Sequence, residues 1–332
     1  MRPLRSLLPA ILAVALLGVT TACASSSGSS GKAAAGSAGA TSGGSAATRI
    51  VQTSKGAIKV PATAHRIVTI QPAAFSTLID LGDADSIVGV YDEGTQYVSP
   101  RYRALYDKTA KIGDKGQVDL EKILNLKPDL IVGADFDWNT KNYQQLSAIA
   151  PMVVAPVDSW QSMTKAFAEA VGRTDQMQAL SAQLTTKQAD IKKQYAPQLA
   201  KYKWDILQGG FDPGQYWIYG PGSDVGSILA GAGVQFATAS TQTPADDNRS
   251  VSYEQISLLN DADVIGYYSD SGSSAPTNNG PQLFAQAGFK ALPAVKAQRV
   301  VAIPDFLPGG YGDALAVLDE LTAGLKTLPA AS

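Results

Sequence analysis

TDQMQALSAQLTTKQADIKKQY, Thr174–Tyr195, contains neither Gly nor Pro. Met177, Leu180, Leu184, Ile191 and Tyr195 recur at spacings of three, four and seven, which is one apolar face of a helix. Thr174 or Asp175 is the expected cap, with Gly172 just before. Lys192 and Lys193 fall in the last turns, where a cation suits the helix dipole, and Pro197 ends the run. A helix of about 22 residues spans roughly 33 Å. That is far enough to join two lobes, and the expectation is that it does.

The flanks support this. LEKILNLKPDLIVG, Leu120–Gly133, precedes the helix, and YEQISLLNDADVIG, Tyr253–Gly266, follows it. Each reads as a short helix with Glu in its first turn, a tight turn ending in Asp129 or Asp263, and a buried strand. A unit repeated across a long helix points to two similar α/β lobes. Any α/β chain repeats helix–turn–strand, so periodicity alone leaves the duplication open.

A chain of 332 residues has room for about two domains, and 45% hydrophobic residues supply a core. A net charge of −2 argues against a nucleic-acid partner. One Cys and one His exclude a disulfide framework and a multi-His or Cys-rich metal site. His65, alone before the first strand, reads as a surface residue.

Residues 1–22 read as a signal segment. Arg2 and Arg5 form its charged start, and Leu7–Val19 its apolar stretch, too short to span a bilayer. Thr20-Thr21-Ala22-Cys23 resembles a bacterial lipobox, although Thr20 stands where Leu is usual. Cys23 is then the lipidated N-terminus, and a diacyl anchor of two chains holds it at a membrane. Ordinary cleavage with a spare thiol is the alternative. Residues 23–48, almost only Ser, Gly, Ala and Thr, read as a flexible tether. The expected division beyond them is an N-terminal lobe at 49–172, the connecting helix at 173–196 and a C-terminal lobe at 197–332.

Within the lobes, Arg49–Thr53 and Ala57–Val60 read as a hairpin, and Arg66–Ile70 as a buried strand followed by a helix from Pro72. Strands are expected at Ser86–Tyr91, Lys111–Gly113, Leu130–Gly133 and Met152–Ala155, with helices at Leu120–Leu126, Thr140–Ile149 and Trp160–Val171. After the connecting helix, strands are expected at Trp204–Gln208, Tyr216–Tyr219, Val264–Tyr268 and Arg299–Ile303. Helices are expected at Ser223–Ala230, Ser252–Leu259, Pro281–Ala287 and Ala314–Leu325. Thr238–Ser250 and Ser269–Asn279 read as polar loops. The alternation implies mostly parallel sheets covered on both faces.

RIVTIQPAAFSTLIDLGDADSIVGVYD, IGDKGQVDLEKILNLKPDLIVG, WIYGPGSDVGSILAGAG, SVSYEQISLLNDADVIG and VKAQRVVAIPDFLPGGYGDALAVLDEL fall in order along residues 49–328. Together they resemble the substrate-binding lipoproteins of bacterial ABC importers for ferric siderophores, haem and cobalamin. The resemblance implies two Rossmann-like α/β lobes on one rigid helix, with ligand in the cleft between them. It implies a monomer tethered outside the cytoplasm beside its permease and ATPase, no cofactor, and no catalysis.

Glu121 follows the expected N-cap Asp119, and Glu254 follows Ser252, which with Gln255 reads as a capping box. First-turn acids also compensate the dipole, by about 0.3–1 kcal/mol each. The resemblance implies instead that Glu121 and Glu254, one per lobe, dock onto permease arginines. Ligands of parallel sheets bind beyond the carboxyl ends of the strands, which yields Tyr91, Lys115, Trp138, Trp217, Tyr268 and Phe306 as lining, joined by the loop residue Arg249 just before the helix that carries Glu254. Core packing is the other role for each aromatic, and Trp160 and Trp204 read as core. Lys115 stands where many relatives carry Arg, which puts a bidentate grip there in doubt.

Asp92, Asp137 and Asp270 near the cleft, with few cations, favour a ferric hydroxamate over an anionic catecholate. Haem or cobalamin is the alternative ligand. With a lone His, iron is expected to arrive already chelated. Two other classes are an exported α/β enzyme, and a surface lipoprotein that signals or adheres. Gly220–Gly226 follows a strand as a nucleotide loop does, but its last glycine comes one residue late, and no Walker motif or nucleophile elbow is present.

Overall fold

Strands buried on both faces are near-continuous apolar runs, and IVT, LIVGA and MVVA are such runs, broken only by Thr69, whose hydroxyl donates to Gly89 O. The structure, a computed structural model, describes residues 47–244 and 248–330. Cys23, the signal segment and the tether up to residue 46 lie outside the described residues. A hairpin of β1 (Thr48–Thr53) and β2 (Gly56–Pro61) opens the folded chain. Next come β3 (Ile67–Thr69), β4 (Ile87–Asp92), β5 (Ala110–Asp114), β6 (Leu130–Ala134) and β7 (Met152–Ala155). They form one parallel sheet in the order β5-β4-β3-β6-β7.

The second sheet holds β8 (Lys203–Gly209), β9 (Gln215–Tyr219), β10 (Gln235–Phe236), β11 (Asn248–Ser252), β12 (Val264–Tyr268) and β13 (Val300–Ile303). Its order is β11-β9-β8-β12-β13, with β10 also on β8. β12 runs parallel to β8 and β13, whereas β9 is antiparallel to β8 and to β11. The two lobes expected from the alternation are therefore two separate sheets.

The connecting helix runs Thr174–Gln194. Met177 enters the core around β3, with Leu180 packed beside it. Leu184, Ile191 and Tyr195 enter the core around β8. One apolar stripe is thus divided between two hydrophobic cores, which gives the rod its grip on both lobes. Its cap differs from expectation. Gly172 ends the preceding helix at φ 71°, and Arg173 occupies the N-cap without a side-chain cap bond. The Arg173 guanidinium is held by Asp83 at 2.8 and 3.0 Å.

The suspected repeat has a physical counterpart. Asp129 donates its N–H to Arg66 O and accepts from Arg66 N with its carboxylate. Asp263 makes the same pair of bonds with Lys203. Each Asp therefore fastens the start of β6 or β12 to the start of its lobe's first central strand, β3 or β8.

Four local expectations are corrected. Arg249 lies on edge strand β11, not in a loop, and Thr238–Thr241 forms a helical turn. The NRSVS sequence has one apolar residue, buried Val251, so pairing with β9 orders this strand rather than side-chain periodicity. Tyr253–Leu259 is a 3₁₀ helix with Gln255 outside helical geometry. Its tighter turn lets Ser252 Oγ accept from Glu254 N at 3.3 Å, so the capping box with Gln255 does not form. Finally, Thr140–Ile149 is broken into Asp137–Thr140, where Asn139 turns inward to accept from Ala134 N, and Tyr143–Ile149, which starts anew after Asn142. A helix at Pro100–Lys108, unforeseen, buries Tyr102 and Tyr106.

Candidate functional site

The carboxyl ends of β3, β4, β6, β12 and β13 run into segments that meet in a gap between the lobes. One cavity of 350 Å³ is lined from the first lobe by Gln71–Ala73, Phe75, Ser76, Glu93, Tyr97–Ser99, Tyr102, Phe136 and Met163. Asp224, Tyr268, Pro304, Asp305, Leu307–Gly309 and Asp313 face it from the second. A second cavity of 270 Å³ shares Phe136, Met163, Asp224 and Leu307 with it and extends to Val157, Trp160 and Tyr219. The two make one cleft.

Its walls are apolar where apolar groups cost most. Tyr97, Phe136, Val157 and Leu307 are 41, 39, 43 and 54% exposed. Large side chains left that open, on facing sides of one gap, are what a ligand of mixed apolar surface would cover. Tyr268 also lines the cavity, with Phe306 stacked on it at 5.1 Å. Phe306 itself is fully buried and meets Tyr219 edge-on at 4.8 Å, so it braces two wall tyrosines from behind.

The sequence-predicted residues separate into groups. Tyr91 and Trp138 pack at 4.7 Å, and the Tyr91 hydroxyl accepts from Gly116 N in the turn that carries exposed Lys115. That cluster, Trp217 against Phe211 and Arg249 lie outside the lining of both cavities. Arg249 is half-buried on edge strand β11. Trp160 is buried but reaches the second cavity, and Trp204 is wholly core. Glu121 and Glu254 are both exposed, at matching places one helix before β6 and β12.

Sequence reasoning missed Tyr97, Phe136, Met163, Leu307 and the acids. Phe136 stands two residues before the chosen Trp138, and Leu307 one after the chosen Phe306. The only signal was a large apolar residue beside Pro308-Gly309-Gly310, with no regular element to bury it.

Glu93, Asp224, Asp305 and Asp313 line the first cavity, and no Lys, Arg or His does so among the described residues. Asp313 accepts from Gly309 N at 2.8 Å, from Ser76 Oγ at 3.2 Å and from Arg101, so it fastens one lobe to the other. Thr77 Oγ1 donates to Gly309 O across the same joint at 2.7 Å, and Arg101 also lies 3.5 Å from Asp305. Burial, then the Asp313 charge, pushes the Asp80 carboxyl up to about 6, although Tyr102 donates to it. Burial, then Asp305, pushes Glu320 up to about 9. Among the described residues no group of three or more His, Cys, Asp or Glu could hold a metal ion. The cleft can therefore enclose a bulky, partly apolar solute.

Residues 67–306 match the family model for periplasmic binding proteins. The petrobactin-binding protein YclQ of Bacillus subtilis (strain 168) is 28% identical over 294 residues, 83% of this chain and 87% of that protein. The probable siderophore-binding lipoprotein YfiY of the same strain is 28% identical over 326 residues, 93% and 95% of the two chains. The solved siderophore periplasmic binding protein from the fuscachelin gene cluster of Thermobifida fusca superposes with a TM-score of 0.70. It is 24% identical and the match covers 81% of this chain and 99% of that one, a likeness that speaks to fold alone.

Proposed function

The chain belongs to the periplasmic binding protein family, and from that premise we propose that it captures an Fe(III)-siderophore, a hydroxamate chelate, for an ABC importer. It is a binding protein and not an enzyme. The observation that carries the ligand class is the cleft wall, where open apolar side chains from both lobes stand beside carboxylates and no lining cation. A polyanionic catecholate or citrate chelate would meet four acids there, whereas hydroxamate iron complexes are neutral or cationic.

In this reading the chelate rests against Tyr97, Phe136, Met163, Tyr268 and Leu307. Tyr91, Lys115 and Trp138 stand ready as an outer contact of the first lobe, and Trp217 and Arg249 of the second. Lipidation at Cys23 tethers the protein to the outer face of the cell membrane, and the following residues give it reach. No helix among the described residues is long and apolar enough to cross a membrane, which suits attachment through such an anchor. Glu121 and Glu254 meet the permease, one from each lobe.

Titration of intrinsic fluorescence with a ferric trihydroxamate, a ferric tris-catecholate, haem and cobalamin tests the ligand class. Saturable quenching by the trihydroxamate, with weak or no response to the catecholate, is expected. Tight binding of the catecholate, haem or cobalamin in its place would overturn the assignment.

A further inference from the structure

Of the four acids lining the main cavity, three are engaged within the chain. Asp313 accepts from Ser76, Gly309 and Arg101. Asp305 is paired with Arg101. Asp224 receives the backbone N–H of Trp160. Glu93 alone has a carboxylate without a hydrogen-bond or ion-pair partner among the described residues.

Its position is nonetheless fixed. The buried Tyr106 hydroxyl donates to Asp92 at 2.6 Å and accepts from Glu93 N at 3.1 Å and Gly94 N at 3.3 Å. Gly94 N also reaches Asp92 Oδ1, and the glycine takes φ 93°, which closes the turn after β4. A turn pinned at three points holds an unpaired acid at the wall of the ligand cleft.

We propose that Glu93 is the seat of a cationic group on the ligand, a primary ammonium at the end of a ferric hydroxamate chelate. This rests on the siderophore reading above and adds the charge and placement of one ligand group. The surroundings favour a cation over a neutral donor. Asp92 and Asp313 are the charged groups nearest Glu93, and both repel its carboxylate. Arg101, on the neighbouring helix, is taken by Asp313 and Asp305. Tyr106 and Tyr268 are the other titratable side chains facing it, and neither brings positive charge. An ammonium would therefore enter a negative potential that no cation in the lining neutralises, with Tyr97 and Tyr268 in the same wall. A bare metal ion is a poorer occupant, because no metal-competent trio of side chains surrounds the site among the described residues.

Burial, then Asp313 and Asp92, pushes the Glu93 carboxyl up to about 8. Unliganded, it holds a proton at neutral pH, and an arriving ammonium displaces that proton. Preference for a cationic ligand must then widen as pH rises from 6 to 8.

The test uses two iron complexes of one linear trihydroxamate, ferrioxamine B with its terminal amine and the same chelate N-acetylated. The mature protein should bind the amine form more tightly by about 10-fold to 100-fold, the range for a hydrogen bond to a charged partner. The ratio should grow between pH 6 and pH 8 and collapse toward one, with no pH dependence, in Glu93→Gln. Equal affinity of the unmodified protein for both chelates, each bound tightly, would overturn the ammonium seat and leave the siderophore reading standing. So would a Glu93→Gln variant that keeps the preference. If neither chelate binds, the hydroxamate reading itself fails and the seat fails with it.

Discussion

Replacing Arg101 with Met should loosen the joint between the lobes, by an amount set by what Asp313 loses. Arg101 is bonded to Asp313 and lies 3.5 Å from Asp305; its side chain is 34% exposed and that of Asp313 only 9%. Stripping one partner from a buried ion pair costs about 3–5 kcal/mol. The open side of Arg101 screens part of that, so a loss of about 2–3 kcal/mol is expected at pH 8. The sign of the pH dependence follows from Asp313. Burial pushes its carboxyl up, and Arg101 pulls it back. Without Arg101 the folded-state carboxyl moves further above its unfolded value. An acid raised on folding gives stability that is present at low pH and lost as pH rises through the folded value. The deficit should therefore be small at pH 5 and grow toward pH 8. Urea midpoints at constant m-value measure it. The double variant Arg101→Met, Asp313→Asn removes the orphaned charge and should recover half the loss or more at pH 8. A single variant within about 0.5 kcal/mol of the parent at pH 8, or a double variant less stable than the single, would refute this account of the joint.

Leu184→Ala, in the connecting helix, should cost about 2–4 kcal/mol by urea titration, the range for a buried leucine that leaves a cavity, since Leu184 is buried in the core of the second lobe. A loss under about 1 kcal/mol would mean that the helix does not use this face to hold the lobe. Glu121→Ala combined with Glu254→Ala should abolish uptake of the iron chelate by cells while ligand affinity in solution stays unchanged. Transport at the parental rate would remove the docking role and leave the two acids as dipole partners.

The architecture was legible because periodicity reports burial. The spacing of Met177, Leu184 and Ile191 foretold a helix with one apolar stripe, and the unbroken runs at Leu130–Ala134 and Val264–Tyr268 foretold strands covered on both faces. That the helix joins two lobes was legible from its length, but where along the stripe one core gives way to the other was not, since Met177 and Leu184 are both large apolar residues and differ only in what they meet. Edge strand β11 was illegible for the opposite reason. Its order comes from backbone bonds to β9, which depend little on the side chains of the strand.

The cleft was harder to read because the rule of strand ends fixes a neighbourhood and not a direction. At the end of β6 the rule led to Trp138, yet Trp138 turns toward Tyr91, and Phe136 faces the gap. After β13 it led to Phe306, which is sealed in the core, while the next residue, Leu307, is open. The difference lies in what each side chain can bury within its own lobe. Trp138 and Phe306 find ring partners there, at 4.7 Å from Tyr91 and 5.1 Å from Tyr268. Phe136 and Leu307 find none and remain exposed until something enters from outside. Glu93 obeys the same logic in charge. Residues that the fold leaves unsatisfied at a joint between two lobes are the ones with binding energy still to give, and a sequence shows which side chains are present without showing which have been satisfied.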